Sequence, residues 1–194
     1  MTDGEFKHTL GIVRQLAARG HEVHLVARDG RAPAAHSRAV RRWHPAPASG
    51  APGYDDRLLE IAGSLAPVSL VPVGSGAVAA ADRLRYRLPS YVGLALPTRD
   101  SLGIANDKPR TAELARRLGL RVPCERTVAS FGEARAAWRQ LGAPLVLKSA
   151  REEGVKTVRY VRSEPELEPA YEAVRAASGS LVLAQEYIAG EGYE

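Results

Sequence analysis

Cysteine is nearly missing from this 194-residue sequence, where Cys124 is the only one. A lone thiol cannot close an internal disulfide, and no charged helix end or histidine beside Cys124 marks it as reactive. Long apolar runs are missing too. Nothing approaches the roughly 20 residues that cross a bilayer, and "MTDGEFKHTL" has no signal-peptide core, so a cytoplasmic location with no membrane partner is expected. Lysine occurs only at Lys7, Lys108, Lys148 and Lys156, so the formal charge of +5 is carried by arginines scattered along expected helices. That scatter argues against a nucleic-acid stripe. The densest group, Arg38, Arg41 and Arg42 beside Trp43 and His44, reads as a solvated loop. Among five histidines, His21 and His24 form a His-x-x-His pair without a carboxylate at ligand spacing, and a structural role is expected for them.

What is present suits a globular α/β protein. With 45% hydrophobic and 25% charged residues, the chain can bury the core of one or two domains. Over 6–19, Leu10, Val13, Leu16 and Ala17 share one helical face, and Gly20 is a stop signal. "EVHLVA" reads as a strand, then "APASGAPG" as a loop. Leu58, Leu59, Ile61, Ala62 and Leu65 predict a helix, and "VSLVPV" a strand. Helix and strand in alternation imply a parallel, doubly wound sheet. Such a unit ordinarily opens on a strand, yet this one opens on "MTDGE", where the turn after that strand belongs, so the first strand is expected to be lacking. The second half changes character near Lys108. A helix over 109–118 is followed by helical spacing at Phe131, Ala134, Trp138 and Leu141, and then by the strand "PLVLKS". "KTVRYV" predicts another strand, "SEPE" a capping box opening a helix to about 177, and "LVLAQEY" a last strand.

Three stretches of this half carry candidate chemistry. Lys148 ends an apolar strand, so its stem can be buried while its ammonium reaches outward; by itself this also describes a snorkelling strand-end lysine. In "NDKP", Asp107 suits a helix N-cap and Pro109 the first turn, so the motif can simply start a helix, or it can set Lys108 beside an anion at a helix N-terminus. In "QEYIAGEGYE", a strand passes into glycine-broken chain, which suits either an amphipathic edge strand or a purine edge that takes one donor and one acceptor from the backbone.

The order "NDK", "LGLRVP", "APLVLKSA", "QEYIAGEGYE", preceded by "TDGE", "LGIVRQLAARGHEV" and "LVPVGS", resembles the ATP-grasp ligases over nearly the whole chain. Within them it looks most like carboxylate–amine ligases related to the carbamoyl phosphate synthase large subunit. The resemblance implies a Rossmann-like pre-ATP-grasp domain over 1–106, lacking its first strand. The N-terminal part of an ATP-grasp domain follows over 107–194, its C-terminal part absent. It implies ATP and Mg as cofactors, an acyl-phosphate intermediate, and small-molecule carboxylate and amine substrates. Lys108 and Lys148 are assigned to the nucleotide; Gln185, Glu186, Tyr187 and Ile188 to the adenine; and Glu191 or Glu194 to the ribose hydroxyls. Acceptor-substrate contacts fall near "TDGE" and "PVGSG".

Two departures from the family pattern stand out. Ser149 follows the strand-end lysine where many relatives have proline, and "AREEGVK" offers only Gly154 as a phosphate-covering glycine. The family's acidic metal ligands and catalytic arginine are expected beyond Glu194, so no metal or catalytic residue is named, and the chain is expected at most to bind ATP. "LGIVRQLAARGHEVHLVARD" also resembles the opening of nucleotide-sugar glycosyltransferases, over the first third only. A non-catalytic nucleotide-binding fragment is the other alternative, and oligomeric state is left open.

Overall fold

The computed structural model describes residues 1–65, 67–151, 157–179 and 181–190. The chain divides into two compact units, Met1–Arg99 and Asp100–Glu194.

In the first unit, α1 (Lys7–Ala18) leads to β1 (His24–Ala27), then β2 (Arg42–Pro45), α2 (Tyr54–Ser64), β3 (Val68–Leu70), α3 (Ser75–Leu84) and β4 (Val92–Leu94). α1 ends where its glycine predicts: the Gly20 amide donates to the Ala17 carbonyl, with φ at +83°. β1 pairs with β2 and β3 with β4, both in parallel. Because side chains alternate along a strand, Leu25 and Ala27 pack with Val13 of α1, whereas Val26 packs with Leu58 and Ile61 of α2 and Ala77, Ala80 and Leu84 of α3. The sheet is therefore covered on both faces, the doubly wound arrangement.

Residues 41–46 are no solvated loop. The Arg41 amide donates to the Val23 carbonyl at 2.8 Å and the Ala46 amide to the Ala27 carbonyl at 3.1 Å, extending the β1–β2 ladder at both ends. Arg42 stays exposed while His44 is buried, the half-buried alternation that an arginine-rich composition hid. His24 also has the carboxylate neighbour that ligand spacing missed. Its Nε2 lies 2.9 Å from Glu22 Oε1 and its Nδ1 2.9 Å from His44 Nε2. Burial, then the neighbouring His24, Arg42 and Arg57, lower the pKa of His44, and the His24–His44 contact links β1 to β2.

Met1 and Thr2 join the two strand pairs. The Met1 amine donates to the His24 carbonyl (3.0 Å) and the Val26 amide to the Met1 carbonyl (2.8 Å), which is the hydrogen-bond pattern of a parallel ladder. On the other side, the Thr2 amide donates to the Val71 carbonyl (3.2 Å) and the Val73 amide to Thr2 Oγ1 (3.0 Å). The lateral order is thus β2, β1, Met1–Thr2, β3, β4.

The buried Met1 amine has a measurable consequence. Burial brings its pKa down from 8.0 to about 6 against the opposing pull of Asp3. The unfolded chain takes up a proton as pH falls through 8, the folded unit only through 6. Stability is therefore fully present above pH 8 and is lost as pH falls to 6, by about 2 kcal/mol. Thermal melts across this window should show Tm falling with pH, and acetylation of Met1 should remove that slope; a flat profile would contradict a desolvated amine.

In order, the second unit carries α4 (Arg99–Ala105, whose first residue closes the first unit), α5 (Lys108–Arg117), β5 (Glu125–Val128), α6 (Phe131–Leu141), β6 (Leu145–Ser149), β7 (Val158–Val161), α7 (Leu167–Ser178) and β8 (Val182–Glu186). Asp107 caps α5, its Oδ1 accepting the Arg110 amide at 3.0 Å. The capping-box geometry sits at α6, where Ser130 Oγ accepts from the Glu133 amide and Glu133 Oε2 from the Ala129 amide. At "SEPE" the expected box is rearranged. Glu166 accepts from the Ser163 hydroxyl and the Arg162 amide, a short 3₁₀ turn spans Glu164–Glu166, and α7 proper opens only at Leu167. Pro165 sits within that turn, and its ring nitrogen has no proton for the ladder.

The four strands form one antiparallel sheet in the order β5, β8, β6, β7. Leu145, Leu147, Val161, Val182 and Ala184 point to one face, where they bury against Ala134 and Ala137 of α6 and Leu167, Tyr171 and Val174 of α7. Each leucine so buried contributes about 1.5–3 kcal/mol. The opposite side chains of the same strands form the second face, which carries the candidate site.

Candidate nucleotide-binding face

Antiparallel register decides which side chains meet. Val146 pairs with Gln185 and Tyr160, Glu125 with Gln185, and Lys148 with Leu183 and Val158, so all of these share the face away from α6 and α7. There, Lys148 Nζ donates to Gln185 Oε1 at 2.9 Å, and Gln185 Nε2 to Glu125 Oε2 at 2.8 Å. Glu125, with its side chain only 7% exposed, also lies 3.8 Å from the guanidinium of Arg116 on α5. The amide of Gln185 thus links a buried carboxylate to a half-buried ammonium, and each end of the link is a charge-assisted bond.

Burial is the main reason that the pKa of Lys148 is lowered; Glu125 opposes this, and Lys108 adds to it through like-charge repulsion. The two lysines therefore act within one another's field. Lys108 reaches this region because its amide donates to the Ala150 carbonyl (3.0 Å) and its Nζ to the Arg151 carbonyl (3.2 Å), tying the start of α5 to the end of β6. Arg151, 3.8 Å from Asp107, adds a third positive group. Ser149 is not idle in place of the family's proline: its hydroxyl donates to the Arg151 carbonyl at 2.6 Å and holds the turn out of β6.

The remaining assigned residues separate into two groups. Glu186 is engaged with the chain: its Oε1 accepts the Cys124 amide and its own amide donates to the Cys124 carbonyl, both at 2.9 Å. Tyr187 and Ile188 follow, exposed, with the Tyr187 ring edge-on to Tyr160 at 6.0 Å between centroids. Together with exposed Val158, these rings make an apolar margin beside Lys148, suited to the face of a planar base. Glu191, Glu194 and most of "AREEGVK" lie outside the described residues. Glu125, Arg116 and Arg151 are the groups that motif reading missed. The available signal was Glu125 itself, a carboxylate in a strand-length run just after "RVP", but only strand pairing sets it opposite Gln185.

In the first unit the "TDGE" and "PVGS" turns meet. The Asp3 carboxylate accepts the Gly74 amide at 2.8 Å and also the Thr2 hydroxyl proton. Asp3 takes φ 57°, and a Cβ on Gly74 would come within 2.6 Å of the Phe6 ring, so this approach requires glycine. Beyond the ends of β1 and β2 lies a cavity of about 310 Å³ lined by Asp3, Glu5, Phe6, Arg28, Ser49 and Tyr54, among others. Burial, then the charge of Asp3, pushes the pKa of the Tyr54 hydroxyl up, opposed by the neighbouring Thr2 hydroxyl. Ligands of open α/β sheets bind at this end of the strands.

No protein-family model matches the chain. It is 40% identical over 87 residues to the D-alanine–D-alanine ligase of Marinobacter nauticus, a match covering 45% of this chain and 26% of that protein. Among solved structures, N5-carboxyaminoimidazole ribonucleotide synthetase from Thermus thermophilus is similar over 97% of this chain and 46% of its own, with a TM-score of 0.66 and 24% identity. The biotin carboxylase of Campylobacter jejuni, solved as a beta-gamma-ATP complex, aligns over 94% of this chain and 43% of its own, with a TM-score of 0.74 and 18% identity. The chain shares the fold of these ATP-grasp enzymes. It spans less than half the length of the ATP-grasp structures it matches, and about a quarter of the curated relative is matched. The ATP-grasp likeness runs through both units, whereas the glycosyltransferase resemblance stopped within the first third. Among the described residues no helix is long and apolar enough to cross a membrane.

Proposed function

We propose that the chain supplies the lysine-bearing wall of an ATP site in a carboxylate–amine ligase. Residues 1–106 are its pre-ATP-grasp domain and 107–194 the N-terminal part of its ATP-grasp domain. The observation that carries this reading is Lys148: an ammonium half-buried on the face away from α6 and α7, oriented by Gln185 and Glu125, with Lys108 beside it. A lysine ammonium has three donors, and Gln185 takes one, so capacity for an anion remains. Lys148 and Lys108 neutralise phosphate charge during transfer. Gln185, Glu186, Tyr187 and Ile188 line the adenine, with Glu191 or Glu194 at the ribose. In the reaction, the γ-phosphoryl group passes to an oxygen of the acid, giving an acyl phosphate and ADP. An amine then attacks the acyl carbon and expels inorganic phosphate. The cavity at Tyr54 in the first unit is assigned to a small-molecule substrate.

ATP chemistry of this kind uses Mg to offset the phosphate charge. Among the described residues no three His, Cys, Asp or Glu side chains gather at one point, so they do not fit a metal site and no step is routed through an ion here.

The test is the pH dependence of nucleotide affinity. Because the folded pKa of Lys148 lies below its ordinary 10.5, its charge is lost earlier on the alkaline side than that of a solvated lysine. ADP titrations followed by NMR between pH 7 and 10 should show affinity falling within this range. Lys148→Arg, which keeps its charge, should flatten the fall. Unchanged affinity across the range, or no binding at neutral pH, would overturn the assignment.

A further inference from the structure

The side-chain amide of Gln185 can turn end for end in nearly the same space, so its sense depends on what stands at either end. At one end is Lys148, which only donates and takes Oε1 at 2.9 Å; at the other is Glu125, whose Oε2 takes Nε2 at 2.8 Å. The two ends are not equally fixed. Glu125 stands directly opposite Gln185 in the β5–β8 ladder, and its side chain is only 7% exposed, with the guanidinium of Arg116 at 3.8 Å. Lys148 stands opposite Leu183, so its ammonium reaches Gln185 along the diagonal, on a flexible four-carbon stem. Glu125 is therefore the fixed point of this run of bonds and Lys148 its movable end.

We propose that Glu125 is a positioning residue for the nucleotide: its carboxylate fixes the Gln185 amide with the oxygen turned to Lys148, and that oxygen aims the Lys148 ammonium at the bound anion. The proposal rests on the assignment of Lys148 to the nucleotide, on which Glu125 acts only through Gln185. A buried carboxylate is a costly way to fill a position in a sheet. The other cross-strand neighbour of Gln185 is Val146, so packing alone would be met by an apolar side chain. The charge of Glu125 also has an effect that packing cannot give. Burial is the largest influence on Lys148 and lowers its pKa, Glu125 raises it, and Lys108 of α5 lowers it again. The same region carries Arg116 of α5, Arg151 beyond β6, Tyr160 of β7 and Tyr187 beyond β8. Without the charge of Glu125 the pKa of Lys148 falls further, and its ammonium is lost at a lower pH.

The sequence has four lysines, Lys7, Lys108, Lys148 and Lys156, few enough for their ε-methylene NMR signals to be assigned one by one. Glu125→Gln keeps an oxygen for the Gln185 amide and removes only the charge, whereas Glu125→Leu removes the anchor as well. In the nucleotide-free chain, the titration midpoint of Lys148 should move down in the Gln variant while that of Lys7, in the first unit, stays in place. In ADP titrations the Leu variant should bind about tenfold more weakly at pH 7, having lost the aim of a charge-assisted bond. The Gln variant should bind more tightly than the Leu variant at pH 7 and lose affinity at a lower pH than the unaltered chain. A Lys148 midpoint that does not move down in the Gln variant overturns the proposal whatever ADP does, and because that variant is isosteric the result stands even if the Leu variant fails to fold. A midpoint that moves down in a chain to which ADP does not bind, altered or unaltered, shows instead that the nucleotide assignment has failed, and the positioning role falls with it.

Discussion

Lys148→Ala is expected to weaken ATP binding by about 10- to 150-fold, equivalent to roughly 1.5–3 kcal/mol for loss of a charge-assisted bond. Lys108→Ala should act in the same direction and on the same scale. The two effects should not add, since both ammonium groups would act on one nucleotide and Lys108 already lowers the pKa of Lys148. Arg139→Ala is the control: this arginine lies exposed in the last turn of α6, a helix packed on the opposite face of the sheet. The measurement is ATP or ADP titration of all three variants, with thermal melts alongside. Removing Lys148 leaves Glu125 still near Arg116 and hydrogen-bonded to Gln185, so the fold should survive. Equal, negligible losses from the three replacements would remove the phosphate role from both lysines.

Leu147→Ala is expected to cost about 2–5 kcal/mol of stability, the range for emptying a packed leucine site. Leu147 is fully buried at the centre of β6, with β7 and β8 on either side and α6 and α7 over it. None of these elements can close the space without disturbing another. Tyr160→Ala, on the next strand but 53% exposed on the open face, should change stability by only a few tenths of a kcal/mol. Denaturant titration of the two variants separates the faces of the sheet. Similar losses at both positions would mean that the open face is as tightly covered as the helical one. The contrast bears on the proposed function, which puts the nucleotide on the face away from α6 and α7.

Local order was legible in the sequence wherever one residue type carries one mechanism. Gly20 stopping α1, Asp107 capping α5, the alternation of helix and strand before residue 100, and the apolar strand ending at Lys148 all follow from 3.6- and 2-residue periods and from the special backbones of glycine and proline. The motif order near Lys108, Lys148 and Gln185 pointed to ATP-grasp ligases for the same reason, since phosphate charge and a purine edge require particular groups at strand ends.

Pairing was not legible. Arg42–Pro45 looked solvated because its arginines dominate the composition, yet β1 recruits it as a parallel neighbour and buries His44. The second Ser-x-x-Glu was read as the cap, whereas Ser130 and Glu133 make it, because Pro165 forces a 3₁₀ turn at the other. From sequence alone came α1, α2, α5, α6 and α7, the strands β1, β3, β6, β7 and β8, and the expectation that Lys108 and Lys148 meet a nucleotide. Tertiary structure alone decided that Glu125 stands opposite Gln185, that Gln185 holds Lys148, and that Met1 and Thr2 bridge β1 and β3. The physical reason is range: caps and periodicity act within a few residues, whereas a strand's partner and register are set by which distant apolar face it must share.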